Sequence, residues 1–268
     1  MDELFLTAER IERAALAELH TAASETTREQ LGLRLETVGS ALVSIASAEP
    51  TNIVLNRTIG LGVEAPATQD AVKTIVRLYA QAGVTDYFIH LHPHSQPDEL
   101  RDWLTQAGLS RTRGWMKFQR DNAPPPHLQS DLEVRRIGLT QAEAFGRIAA
   151  QGFDISEASV PLLAALAHRP DWYLFMSFDG DTPAGTGALF IQDNVAWTDW
   201  GATDPAFRRR GGQGVVLCRR IQEAIDRGCE LLLTTTGEEV EGDPQHSYKN
   251  ILKCGFKESY LRENYSPV

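Results

Sequence analysis

Residues 204–225 read DPAFRRRGGQGVVLCRRIQEAI: a proline turn, three arginines, a glycine cluster, then apolar positions at helical spacing, Val216, Leu217, Ile221, Ala224 and Ile225. The stretch before it, NVAWTDWGAT (194–203), reads as a strand. Strand, basic glycine-rich turn and helix, in that order, gather successive backbone N–H groups and the positive end of a helix dipole around one point. Such a turn suits a pyrophosphate, and glycine lets the main chain approach it closely. Two other phosphate motifs fail here. A Walker loop needs lysine and then Ser or Thr after its glycines, whereas Val215 and Val216 follow Gly214. A dinucleotide fingerprint needs a different glycine spacing and an acid about twenty residues later.

The remainder of the chain is acidic, with 26 Lys and Arg against 36 Asp and Glu and a formal net charge of -10. The deficit is shared by both halves, so bulk charge argues against nucleic acid or an anionic membrane as partner and leaves the arginine run as a local anion site. Apolar content of 42% fits a folded globular protein. The opening MDELFLTAERIERAALAEL mixes acids with apolar residues at helical spacing, unlike a secretory leader. No stretch is long enough to span a bilayer. Cys218, Cys229 and Cys254 have no metal-ligand spacing and read as free, buried thiols. A cytoplasmic location is expected.

The proline-rich segment NAPPPHLQSD (122–131) marks the expected boundary, giving domains 1–125 and 126–268. The first half is read as a helix over Leu6–His20, strand-like ALVSIAS and NIVLNRTIGLGV, a helix over Thr68–Gln81, strand DYFIHLH, a helix over Pro97–Gln106 and strand GWMKFQR. The second half is read as LEVRRI, helices over Gln141–Gln151 and Glu157–Ala167, and a hairpin WYLFMSFDGDTPAGTGALFI turning at DGDTPAG. The strand at 194–203, a helix over Gln213–Arg227, ELLLTTT, a helix over Tyr248–Lys253 and KESYLREN complete it. Both halves end alike. Pro66 leads into a helix ending at Gly83, and Pro205 into one ending at Gly228, the second interval being longer by about the length of FRRRGG. One fold used twice, the first copy without its arginine and glycine loop, is the simplest reading.

The stretch at 204–224 resembles the acetyl-CoA loop of the GNAT superfamily of N-acetyltransferases, whose signature is Arg or Gln, two residues, Gly, one residue, then Gly or Ala. Two registers fit: Arg208, Gly211 and Gln213, where Gln213 departs from the small residue, or Arg209, Gly212 and Gly214, a full match. SYKNILKCGFKESYLRENY (247–265) is similar to the closing helix, GF and last strand of that family. The resemblance covers about Asp131 onward, with the first half like a degenerate second copy, as in tandem members. It implies a mixed α/β fold: two GNAT-like domains, each with a mostly antiparallel central sheet flanked by helices.

By that resemblance, acetyl-CoA lies with its pyrophosphate on the amides of Arg209, Arg210, Gly211, Gly212, Gln213 and Gly214, with the side chains of Arg208 and its neighbours also available to the ribose phosphate. Main-chain groups of Ala202 and Thr203 pair with the pantetheine arm, and Asn250 offers a side-chain contact to it. The implied reaction is direct attack of a neutral amine, small-molecule or protein, on the thioester carbonyl, with a base taking the amine proton and an acid protonating the leaving thiolate. Many members carry the acid as a tyrosine four residues before the GF glycine, but that position is Ile251 here. Tyr248, one turn earlier, is the substitute. Asp199 and Glu238 or Glu239 are candidate bases, beside a plain surface role for each. A non-catalytic acyl-CoA binder or sensor is the alternative, and an interaction module without cofactor a third class. His90, His92 and His94 lack carboxylate or thiol ligands at metal spacing and are read as pocket wall, with no metal expected. Trp197 and Trp200 are read as core or pocket wall, and GEEVEGD (237–243) as a solvated acidic loop able to attract a cationic amine.

Overall fold

The computed structural model describes residues 3–268. In chain order the first half folds as helix α1 (Glu3–Ala22), α2 (Glu25–Leu31), strands β1 (Leu33–Val38), β2 (Ala41–Ala46) and β3 (Arg57–Ile59), α3 (Gln69–Gln81), β4 (Phe88–Leu91), α4 (Leu100–Gln106) and β5 (Leu109–Asp121). The second half folds as β6 (Glu133–Arg136), α5 (Ala142–Gly152), α6 (Val160–Ala164), β7 (Trp172–Asp179), β8 (Thr182–Gln192), β9 (Val195–Thr203), α7 (Gly212–Asp226), β10 (Leu231–Gly237), α8 (His246–Lys253) and β11 (Lys257–Pro267).

Local chemistry explains most of these limits. α3 starts where the Thr68 hydroxyl accepts from Ala71 N at 3.1 Å, an N-cap that satisfies an otherwise orphan donor. The β7–β8 reversal is tighter than the expected DGDTPAG turn. Gly180, at φ +59, and Asp181 make it alone, and β8 begins at Thr182 with Pro183 inside it. NIVLNRTIGLGV yields only the short β3, because Asn52 Oδ1 accepts from Val54 N and Leu55 N and folds the preceding residues into a turn.

The chain forms two compact units, one of residues 3–20, 25–116 and 260–268, the other of 21–24 and 117–259. The expected boundary at 125/126 is thus corrected twice. The second unit begins within β5, and most of β11 belongs to the first. In the first unit β1, β2 and β3 are antiparallel neighbours, and β3 runs parallel to β4 through α3. β11 then pairs antiparallel with β4, Asn264 opposite His90. In the second unit β6, β7, β8 and β9 are antiparallel and β10 runs parallel to β9 through α7, with β5 beside β10. Hairpin, third strand, helix and parallel strand recur in both, and the closing strand of each sequence half serves the other half's parallel strand.

A buried ionic cluster fixes β11 in the first unit. Arg262 grips Glu12 at 2.7 and 3.1 Å, Glu9 lies 3.3 Å from it, and Arg57 reaches Glu12 at 3.1 Å. Tyr260 donates to Glu9 at 2.7 Å. Glu12 and Arg262 are wholly buried, so the cluster stands by mutual pairing in a low dielectric. The apolar core beside it includes Val43, Ile45, Val72, Ile75, Tyr79 and Ile89.

Candidate functional site

The site in the second unit begins at a kink in β9. β8 and β9 keep register from Gln192↔Val195 to Ala188↔Asp199, then shift before Thr186↔Ala202. Trp200 sits in this bulge at φ +50, a conformation bulky residues rarely adopt. Four contacts hold it. Asp199 Oδ1 accepts from Trp200 N at 2.8 Å, and Thr186 Oγ1 donates to Trp200 O at 3.0 Å. Arg220 of α7 donates to Ala188 O at 3.0 Å and Asp199 O at 2.9 Å. Arg220 is buried, and desolvation pulls its pKa down to about 10.

β9 parts from β10 just before the bulge. The parallel register ends at Leu233↔Trp197, and Thr234 Oγ1 donates to Thr198 O at 3.0 Å just past it. Alternation then decides which main-chain groups are open. Asp204 N donates to Ala184 O across the β8 side, so Ala202, two residues earlier, also faces β8, and Thr203 faces away. Ala202 is thereby corrected from pantetheine partner to ladder residue, its Cβ resting against Gly152. Next to it, the Gly201 carbonyl accepts from Gln213 Nε2 at 3.5 Å.

The turn itself is built from the expected residues, with divided labour. Asp204 caps a short 3-10 turn at Pro205–Phe207, Arg209 adopts φ +65, and Gly211, at φ +77, starts α7. Gly214 N and Val215 N donate to Gly211 O at 3.1 and 3.2 Å. The main-chain N–H groups of Arg208 through Gln213 make no hydrogen bond among the described residues, which leaves a run of donors free at a helix N-terminus. Arg208 and Arg209 are exposed and unpaired. Arg210 differs: its guanidinium clamps Asp131 at 2.5 Å and Asp179 at 2.7 Å, and its carbonyl accepts from Ser130 Oγ at 2.7 Å. The expected phosphate contact from that side chain is corrected to a tie onto the proline-rich segment. The same segment explains the glycines, since a Cβ at Gly211 would lie 2.7 Å from Gln129 O and one at Gly214 2.9 Å from Leu128.

Asn250 Nδ2 donates to Gln213 Oε1 at 3.0 Å, so α8, α7 and β9 meet through Asn250, Gln213 and Gly201. Tyr248, on another face of α8, is buried, packs edge-on against Phe118 at 4.8 Å, and donates to Glu258 Oε1 at 2.5 Å. Burial first, then the Glu258 bond and the charges of Glu258 and Glu239, push its phenol well above the usual range. Glu239 is exposed just past β10. Asp199 has both oxygens engaged, Oδ2 accepting from Trp197 Nε1 at 3.1 Å. Sequence reasoning missed Lys117, fully buried with Nζ 4.3 Å from the Trp197 ring, and the Tyr248 partner Glu258. Trp197 and Trp200 are both core residues.

The corresponding place in the first unit is closed. Gln96 N donates to Gly62 O and Ala67 N to Gln96 O, both at 2.8 Å, and Ser95 Oγ donates to Leu61 O at 2.9 Å. A Cβ at Gly62, φ +72, would come within 2.5 Å of Gln96 O, so glycine permits this seam. His90 and His92 are buried rather than pocket wall. His90 Nδ1 is 2.6 Å from Asn264 Oδ1, and the His92 ring meets Tyr260 edge-on at 4.5 Å. Among the described residues no three His, Cys, Asp or Glu side chains gather to hold a metal ion, and no helix is long and apolar enough to cross a membrane.

The shared order of hairpin, third strand, helix and parallel strand in both units, with a bulged third strand and a free-amide turn in the second, matches the fold of solved GNAT proteins, a tandem one included. The chain is similar in structure to a GCN5-related N-acetyltransferase from Kribbella flavida, with 16% identity, a TM-score of 0.63, and 93% of this chain and 95% of that one covered. A GCN5-related N-acetyltransferase from Sphaerobacter thermophilus gives 14% identity, a TM-score of 0.60, and coverage of 90% and 84%. A tandem GNAT protein from the clavulanic acid biosynthesis pathway gives 13%, 0.56, and 84% and 77%. At these identities the likeness is one of fold. No protein-family model and no curated protein matches the sequence.

Proposed function

We propose that the second unit binds acetyl-CoA on the Arg208–Gln213 turn and transfers the acetyl group to a primary amine, while the first unit, its equivalent slot sewn shut, acts as a structural or acceptor-shaping partner. The observation that carries this reading is the run of unbonded N–H groups from Arg208 to Gln213 at the start of α7, flanked by unpaired Arg208 and Arg209. Gly212 and Gly214 contribute close backbone, Thr203 and Gly201 offer main-chain groups to the pantetheine arm, and Asn250 holds Gln213 in place.

In the reaction the amine nitrogen attacks the thioester carbonyl, the C–S bond breaks, and the amine proton passes to a base while the thiolate gains one. Glu239, exposed beside the acidic 237–243 loop, is the better-placed proton acceptor and cation attractor, because the Asp199 oxygens already hold the bulge. Tyr248 stays protonated at neutral pH, as an acid must.

A second reading, an acyl-CoA binder without turnover, is favoured by one observation: the Tyr248 hydroxyl is spent on Glu258, and Ile251 fills the family's acid position. Calorimetry with acetyl-CoA, followed by thiol release across an amine panel, separates the readings. Binding with amine-dependent release is the expected result, binding without release selects the sensor, and no binding removes both.

A further inference from the structure

The second unit carries a pair of thiols that acetyl transfer does not use. Cys218, on the second turn of α7, faces Cys254, which ends α8, at an Sγ–Sγ distance of 3.6 Å. Cys254 is fully buried and Cys218 is partly exposed, so one sulfur is open to solvent and the other stands behind it. Cys254 Sγ is also 3.7 Å from Gly214 O, on the first turn of the helix whose start forms the free-amide turn. Arg120 Nη1 donates to Cys254 O at 2.5 Å and pins the residue from the other side. Contact with the Cys254 thiol, then the charges of Arg120 and Arg220, hold the Cys218 thiol below its ordinary range, while the same contact and burial push Cys254 up.

We propose that Cys218 and Cys254 are an oxidation site, closed to a disulfide by low-molecular-weight disulfides, and that closure weakens the cofactor turn. The Cys218 thiolate, its proton lost to water, attacks one sulfur of the oxidant RSSR. An S–S bond forms to Cys218 and RS⁻ leaves toward solvent. Cys254 gives up its proton and attacks the Cys218 sulfur from inside, in line with the departing group, expelling the second RS⁻; both leaving thiolates take up protons. Two protein thiols are oxidised to one disulfide, and one small disulfide is reduced to two thiols. A disulfide is about 2.0 Å long, so the sulfurs must close by roughly 1.5 Å. That movement draws Cys254 off Gly214 O and disturbs the first turn of α7. Cys229, buried and with its thiol pushed up to about 11, takes no part.

The disulfide itself is independent of the acetyl-transfer reading; its effect on cofactor rests on that reading. The test treats the full-length protein with glutathione disulfide and follows it by non-reducing intact mass and peptide mapping. The expected result is loss of two hydrogen atoms, a Cys218–Cys254 linked peptide and reversal by dithiothreitol. Cys254→Ser should stop at a glutathione adduct on Cys218, Cys218→Ser should leave both remaining thiols free, and Cys229→Ser should behave as wild type. A stable adduct in the wild type with Cys254 still titratable, or unreacted thiols, overturns the proposal. CoA calorimetry on reduced and oxidised protein then reads the coupling. A severalfold weaker affinity after oxidation is expected, and equal affinity overturns the coupling. If neither form binds CoA, the cofactor reading fails while the disulfide stands.

Discussion

The guanidinium of Arg220 occupies the space a side chain at Gly187 would need: a Cβ there would lie 2.7 Å from both Cζ and Nε of the arginine. A glycine in the middle of β8 thus makes room for a cation from α7, and that cation holds open the β9 bulge. Gly187→Ala should destabilise the protein by about 1–3 kcal/mol through overpacking. Arg220→Met should cost a similar amount by stranding Ala188 O and Asp199 O. Urea midpoints measure both, and unchanged midpoints would remove Arg220 as the bulge's support.

Charge reversal at the turn separates its arginines. Arg208→Glu and Arg209→Glu should each weaken CoA binding by about tenfold or more while leaving the fold intact, since neither side chain has a partner to lose. Arg210→Glu should instead lower stability by breaking the clamp on Asp131 and Asp179. Calorimetry beside thermal melts tells the two effects apart.

Acid should loosen the first unit. His20 is buried against Ser44 at 2.8 Å, and desolvation, then the charges of Arg28 and Arg57, pull its pKa down to about 4. His90 is pushed down by burial and by Arg262. Each imidazole is neutral in the fold, and each takes a proton more readily unfolded than folded. Stability is therefore full above about pH 6.5 and falls as pH drops toward 4, by up to about 3 kcal/mol from His20. Denaturation curves across that window should show the slope, and His20→Gln should reduce it.

Glu12→Gln should cost about 3–5 kcal/mol, because Arg262 and Arg57 would lose their common buried counter-charge. Deleting residues 260–268 should unfold the first unit although its other residues lie far earlier in the chain. Hydrogen exchange at β4 reads this directly, and a β4 still protected after the deletion would contradict the strand assignment.

Tyr248→Phe removes the Glu258 bond and tests the proposed acid. A loss of amine-dependent thiol release with CoA affinity unchanged supports the role, while wild-type turnover assigns the residue to packing against Phe118.

Much of this is legible in the sequence. The turn, α7, the β7–β8 hairpin and the paired α3 and α7 carry strong periodicity and turn residues. Their signals are local, so the sequence exposes them. α2 and β1 escaped because β1 is half exposed and its polar residues mask the alternation of Leu33 and Leu35. Arg220 escaped because an arginine on a helix reads as solvated. Its place three residues after Leu217, on the apolar face, together with Gly187 inside a strand, was the available sign. The assignment of β11 to the first unit could not be read at all: a strand pattern names a face, not a partner, and here Arg262 chooses by meeting Glu9 and Glu12 from the other end of the sequence.

That choice imposes a timetable on synthesis. Residues 260–268 leave the ribosome after the whole of the second half has been made, so the hydrophobic edge at β4 waits, without its neighbour, through the birth of more than half the protein. The waiting edge is the period of greatest exposure to chaperones and to misassembly, and it ends only when the last strand arrives.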